Sequence, residues 1–176
     1  RRQKSYRRQV LVCGGAGCIS SNCGEVRDAL IKSVSTYKLD DEVKVMVTGC
    51  MGTCAMGPVI LVEPEGIFYT KMNPEKAEDV VARHLLKDEV CEEYTYFDED
   101  EGVHVPRMED IPFFKGQVRV ALRNCGHMEY ASLEAYISRD GYGALARALS
   151  EMTPAQVVEE MKAAGLRGRG GAGFPT

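Results

Sequence analysis

The sequence contains no tryptophan and only three histidines, and aromatic side chains make up just 7% of its 176 residues. His84, His104 and His127 are scattered, so no Ser–His–Asp arrangement can be read from their spacing. Long apolar runs are missing too. None approaches the ~20 residues needed to cross a bilayer, and none near the start resembles the core of a secretory signal. A chain without membrane span is therefore expected, with a cytoplasmic location. Basic excess is also lacking: 22 Lys and Arg face 26 Asp and Glu, a net charge of -4, which argues against a general nucleic-acid binder. The C-x-x-C pattern of a redox dithiol does not occur. Cysteine itself is plentiful, at seven residues. The number is odd and nothing marks an oxidising compartment, so metal or redox chemistry is a better reading than a disulfide framework.

The chain begins at Arg1 rather than methionine and ends in a glycine-rich run. We expect a piece of a longer protein. Residues 1–9 form a basic tail, read either as solvated or as an arm for an acidic partner. Val10-Leu-Val12 reads as a buried strand running into a glycine cluster at Cys13. Val26, Ala29, Leu30 and Val34 recur at helical spacing, which predicts a helix over 22–37 with Ser20, Ser21 or Asn22 as cap. Residues 42–48 alternate as a strand. Val59–Val62 and Ile67–Thr70 form a hairpin around Glu63-Pro-Glu-Gly66. Asn73-Pro74 caps a helix over 74–87, its apolar face being Ala77, Val80, Val81 and Leu85. Strand, helix, three strands and helix make a small α/β domain over 10–88.

Eight acids and no base lie within 88–101, with prolines at 106 and 112. This predicts an extended acidic and proline-rich linker over 89–116. It could hold the basic tail electrostatically. A strand is expected at 117–122, short helices at 132–138 and 142–150, and a helix opened by Thr153-Pro-Ala-Gln156 and running to about Ala164.

Four cysteines form two loops. Cys13 and Cys18 are separated by four residues, Cys50 and Cys54 by three, and the predicted helix and second strand lie between the pairs. Each pair follows a predicted strand, so both can converge at one end of a sheet. Gly14, Gly15, Gly17, Gly49, Gly52 and Gly57 let backbone N–H groups approach sulfur. On spacing alone, an iron–sulfur cluster, a structural zinc and plain thiols all remain open, with the cluster preferred. Zinc would make the chain a non-catalytic docking module.

Cys13-x4-Cys18 with Cys50-Met-Gly-Thr-Cys54 resembles the thioredoxin-like 2Fe–2S ferredoxin domain that accompanies NADH dehydrogenases and NAD(P)-linked hydrogenases. The resemblance implies Cys13, Cys18, Cys50 and Cys54 as ligands of a 2Fe–2S cluster. Arg123-Asn-Cys-Gly126 and Gly165-Leu-Arg-Gly-Arg-Gly-Gly-Ala-Gly-Phe-Pro-Thr176 resemble the start of the NADH-binding, FMN-carrying flavoprotein subunit of complex I. That similarity covers 117–176. Together the two parts resemble the diaphorase subunit of multimeric electron-bifurcating or NAD(P)-linked iron hydrogenases, and related formate dehydrogenases.

The resemblance implies an NAD(P)H-dependent oxidoreductase that relays single electrons between the cluster and FMN. It assigns Gly168, Arg169, Gly170 and Gly171 to the flavin loop. FMN and NAD(H) would belong to the intact chain, and a 4Fe–4S cluster to a part beyond residue 176. The implied partners are a separate small 2Fe–2S subunit of the complex I type, a hydrogenase or formate dehydrogenase catalytic subunit, and ferredoxin. Among the remaining cysteines, Cys23 is expected as a small buried residue or substitute ligand, Cys91 as an exposed thiol, and Cys125 in a structural turn. Met51 and Met56 are expected to shield a cluster from water.

Overall fold

The computed structural model describes residues 5–168 and 172–175. It contains two compact units, Arg1–Ser132 and Leu133–Thr176. The first opens with β1 (Arg8–Cys13), α1 (Ala16–Ser20), α2 (Cys23–Thr36) and β2 (Val43–Thr48). β3 (Ile60–Glu63), β4 (Ile67–Tyr69) and α3 (Pro74–Val80) follow. The four strands form one sheet in the order β2-β1-β3-β4. β1 and β2 are parallel, and the other two pairings are antiparallel. A parallel pair needs a crossover, which α2 supplies. As an interior strand, β1 is covered on both faces, which explains the unbroken apolar run Val10-Leu-Val12, all buried.

The two long helices formed as the apolar periodicity requires. α2 buries Val26, Ala29, Leu30, Ser33 and Val34. Asn22 stands at its N-cap in the left-handed region, and its side chain makes no capping bond. Asn73 does cap α3: its Oδ1 accepts from the Lys76 N–H at 2.8 Å, with Pro74 in the first turn. The helix continues through a π turn over Val81–Leu85, so that Ala77, Val80, Val81 and Leu85 are all fully buried. α1, inside the first cysteine loop, was not expected from the sequence.

Three expectations are corrected. The segment 89–116 is not an extended linker. It folds as β5 (Tyr96–Asp98) and β6 (Val103–Val105), an antiparallel pair. Isolated bridges Tyr69–Thr95 and Ile67–Arg107 fasten it to β4, and Ile111 and Phe114 are buried in the core. Cys91 is accordingly buried rather than exposed. The acids lie largely outward while Cys91, Ile111 and Phe114 turn inward, and composition alone hides that division.

The basic tail is not wholly solvated either. Arg8 belongs to β1 and is buried, bonding Glu65 at 2.6 Å and Asp88 at 2.6 Å. Arg7 reaches Asp88 and Glu42. The first acid of the acidic stretch thus does hold the tail. Finally, 117–122 forms no strand, and Val118 and Val120 are 89% and 76% exposed. The free edge of β2 instead takes its bonds from further on: Tyr130 donates to the Val47 carbonyl at 2.7 Å, and Gly126 to Thr48 Oγ1 at 2.9 Å.

The second unit contains α4 (Leu133–Ile137), α5 (Gly143–Glu151) and α6 (Pro154–Ala163). Thr153 and Gln156 complete a reciprocal capping box at the start of α6. Past α6, Arg167 bridges Pro175, and Gly168 donates to the Phe174 carbonyl at 2.7 Å. Arg169, Gly170 and Gly171 of the expected flavin loop lie outside the described residues.

Candidate metal centre

The two cysteine loops meet because β1 and β2 run parallel in register, Cys13 opposite Thr48. Both strands therefore end at the same place. Cys13 closes β1, and Cys18 lies on α1. Cys50 follows β2 after one glycine, and Cys54 opens the 3-10 turn Cys54–Met56. Gly14 donates to the Thr48 carbonyl at 2.9 Å, which pins the first loop to the second.

Glycine lines the meeting point because nothing larger fits. A Cβ built on Gly15 would lie 2.8 Å from Cys50 Sγ, and one on Gly57 3.0 Å from Cys18 Sγ. On Gly17 it would lie 3.0 Å from Cys54 Cβ and 3.1 Å from its sulfur. Three of the four expected ligands are thus packed directly against bare backbone of the opposite or flanking loop. Cys13, Cys18 and Cys50 are buried or half-buried, and Cys54 is exposed.

The thiols lie near one another in pairs, Cys13 by Cys18 and Cys50 by Cys54. Among the described residues, no three Cys, His, Asp or Glu side chains gather about a single point. Burial, with help from the Cys13 thiol, pushes Cys18 up to about 12. At Cys50 the Gly52 N–H, 3.4 Å from sulfur, works downward, but burial and the Cys13 and Cys54 thiols carry the net shift upward. A second N–H, from Val59, favours the Cys18 thiolate. These upward shifts favour the protonated Cys18 and Cys50 thiols, and metal binding must displace those protons.

The donor set fits an iron–sulfur group. Four cysteine sulfurs in two pairs match two irons with two thiolates each. Backbone N–H groups already approach two of the sulfurs, and the glycine cradle leaves the room that Cβ atoms would take. Met51, within the second loop, is buried, and Met56 packs on the core.

Other expected residues are placed as follows. Cys23 opens α2 and is buried, and burial raises its thiol, with Cys13 nearby. Cys125 sits against Gly49, whose Cβ would lie 2.6 Å from its sulfur. Spacing did not reveal that the downstream segment reaches the ligand loop at this point. Nor did it reveal Phe113, whose ring lies 3.7 Å from a Cβ at Gly52. His84 belongs to the core instead, buried with its Nδ1 2.9 Å from the Tyr69 hydroxyl. His127 Nε2 is 3.2 Å from Arg119. Thr53, in the second loop, drew no attention in the sequence and is buried.

A four-stranded sheet with one parallel pair, flanked by α2 and α3 and carrying a four-cysteine end, defines a thioredoxin-like fold adapted to metal. The thioredoxin-like 2Fe-2S ferredoxin family matches residues 1–84. A 2Fe-2S ferredoxin of Clostridium pasteurianum is 34% identical over 73 residues, which cover 42% of this chain and 72% of that one. The chain therefore belongs to the thioredoxin-like 2Fe-2S ferredoxin family.

Two longer proteins are also similar. The NADP-reducing hydrogenase subunit HndC of Solidesulfovibrio fructosivorans is 56% identical over 62 residues, 35% of this chain and 12% of its own length. An NADH-quinone oxidoreductase subunit of Rhizobium meliloti is 51% identical over 57 residues, 32% of this chain and 14% of its own. The chain thus spans only a small part of either. Among the described residues no helix is long and apolar enough to cross a membrane.

Proposed function

We propose that the chain is the N-terminal portion of an electron-transfer subunit in an NAD(P)H-linked oxidoreductase of hydrogenase-diaphorase type. Cys13, Cys18, Cys50 and Cys54 hold a 2Fe–2S cluster, which supplies one-electron storage and relay. The observation that carries this reading is the meeting of the two cysteine loops, with Cys50, Cys54 and Cys18 packed against Gly15, Gly17 and Gly57. Met51 and Phe113 keep water from the second loop, and the Gly52 and Val59 N–H groups offset negative charge on sulfur. Cys54, with Ala55 beside it, is the exposed side and the natural face for electron exchange.

The sheet and cysteine loops of the ferredoxin module lie within 10–88, and the stretch after residue 88 packs on them. A flavoprotein module begins within 117–176, its residues 117–132 lying in the first unit, and Gly168, Arg169, Gly170 and Gly171 contribute to the FMN site of the whole protein. The similarity to HndC and to the Rhizobium meliloti protein supports membership in such an oxidoreductase subunit. NAD(H) oxidation, electron bifurcation and docking to a hydrogenase or to a separate small 2Fe–2S subunit belong to the whole protein, with a cytoplasmic location.

Anaerobic purification followed by iron and sulfide analysis, visible spectroscopy and EPR tests the reading. Near two irons and two sulfides per chain, a red-brown colour and a one-electron signal on reduction are expected. Cys50→Ser should strip or alter that spectrum. One zinc and no colour would overturn the proposal.

A further inference from the structure

The loop between Cys50 and Cys54 holds one side chain whose bonding capacity is unused. Thr53 is 7% exposed, and its hydroxyl has no hydrogen-bond partner among the described residues. It stands at the N-cap of the turn Cys54–Met56, where a threonine oxygen ordinarily accepts a backbone N–H. Here the side chain makes no such bond. The turn is closed by main chain instead, Met56 N–H to the Thr53 carbonyl at 2.9 Å.

Burying a hydroxyl without a partner is costly, and valine, nearly the same shape, would avoid the cost. The other buried side-chain oxygen without a partner among the described residues is Glu65 Oε2. Its carboxylate is already anchored through Oε1 to Arg8. Thr53 has no comparable anchor. It adjoins Cys54, whose Sγ and Cβ pack against Gly17, and shares its loop with Cys50, packed against Gly15. The acceptor type that ligation would add here is sulfur.

We propose that Thr53 Oγ1 donates a hydrogen bond to a sulfur of the 2Fe–2S group, as a positioning residue that sets its reduction potential. The inference rests on the function proposed above. Reduction adds negative charge to the sulfurs, so an O–H donor stabilises the reduced form more than the oxidised one. Removing the donor makes the potential more negative, and retaining it on a shorter side chain does not.

The test uses the full chain, reconstituted anaerobically with iron and sulfide, as wild type, Thr53→Val, Thr53→Ala and Thr53→Ser. Spectroelectrochemical titration should show Thr53→Val and Thr53→Ala more oxidised at fixed applied potential. The expected rise in oxidised-to-reduced ratio is about tenfold, equivalent to 59 mV for a one-electron couple. Thr53→Ser should stay within about twofold of wild type. A proton coupling in the reduced state, removed by exchange into D2O, should vanish in Val and Ala but persist in Ser. Without metal, Thr53→Val should be at least as stable as wild type. A wild-type chain that takes up no cluster overturns both this inference and the function beneath it. Intact clusters with equal potentials in wild type and the variant that loads overturn the role of Thr53 alone.

Discussion

Gly15 carries no side chain because the Cys50 thiol occupies the place where one would begin, 2.8 Å from the ideal Cβ. The nearest atoms belong to a short side chain held by its own backbone, so neither partner can yield cheaply. Gly15→Ala is therefore expected to lower iron content per chain severalfold after reconstitution, measured against protein concentration. Gly24 provides the contrast. It lies in α2 with nothing within 4 Å of a Cβ, and Gly24→Ala should retain full iron while stabilising the chain by about 0.5 kcal/mol in urea denaturation.

His84 makes a second prediction at this scale. Burial, reinforced by Arg8, lowers its pKa to about 4 from an ordinary 6.5. The neutral ring accepts from the Tyr69 hydroxyl, which in turn accepts the Cys91 N–H. Above pH 6.5 both folded and unfolded histidine are neutral and pH has no leverage. As pH falls below 6.5 the unfolded state gains a proton that the folded state refuses, so stability declines until about pH 4. The loss is at most on the order of 3 kcal/mol. Denaturation midpoints between pH 7 and 4.5 should fall less steeply for His84→Asn, which keeps an acceptor near the Tyr69 hydroxyl. Parallel curves would exclude this account.

Among the elements, β1 is anchored by charge at the end opposite its cysteine. Arg8 is buried and bonds Glu65, Asp88 and the His84 carbonyl, joining β1 to the β3–β4 turn and to the end of α3. Its partners are one-third and nearly two-thirds exposed, so water screens part of the interaction. Arg8→Ala is expected to cost about 2 kcal/mol, measured in urea. A cost no larger than that of an ordinary exposed ion pair would mean that these contacts do not anchor the strand. At α6 the capping box predicts that Thr153→Ala costs about 1 kcal/mol of helix stability, which a fall in helical circular dichroism on heating would report.

For the molecule as a whole, the stretch after residue 88 completes the ferredoxin unit. Cys91, Ile111 and Phe114 are buried in the common core, Phe114 meets Phe68 edge-on at 5.5 Å, and Lys44 of β2 bonds Glu129 at 2.6 Å. Burying an isoleucine or phenylalanine side chain is worth about 1.5–3 kcal/mol. A chain ended after residue 88 should therefore melt about 10 °C or more below one ended after residue 132. Equal melting temperatures would restore the linker reading.

The parts legible in advance were those with a period. The helical repeat of α2 and α3, the alternation of β2 and the paired cysteine spacing each depend on near neighbours in the chain, so local pattern sufficed. The acidic stretch misled because composition averages over two faces, one solvated and one turned against β4. Gln117–Leu122 misled because alternation marks a surface able to pair, while pairing needs a neighbour, and β2 is paired by Gly126 and Tyr130 instead. The spacing of the two cysteine loops and the order of the strands and longer helices up to residue 88 follow from the sequence alone. The tertiary structure decided which glycines face sulfur, that Cys91 and Arg8 lie inside, and that Thr53 turns a bare hydroxyl inward. Those facts depend on strands distant in sequence arriving side by side, and no local pattern encodes the arrival.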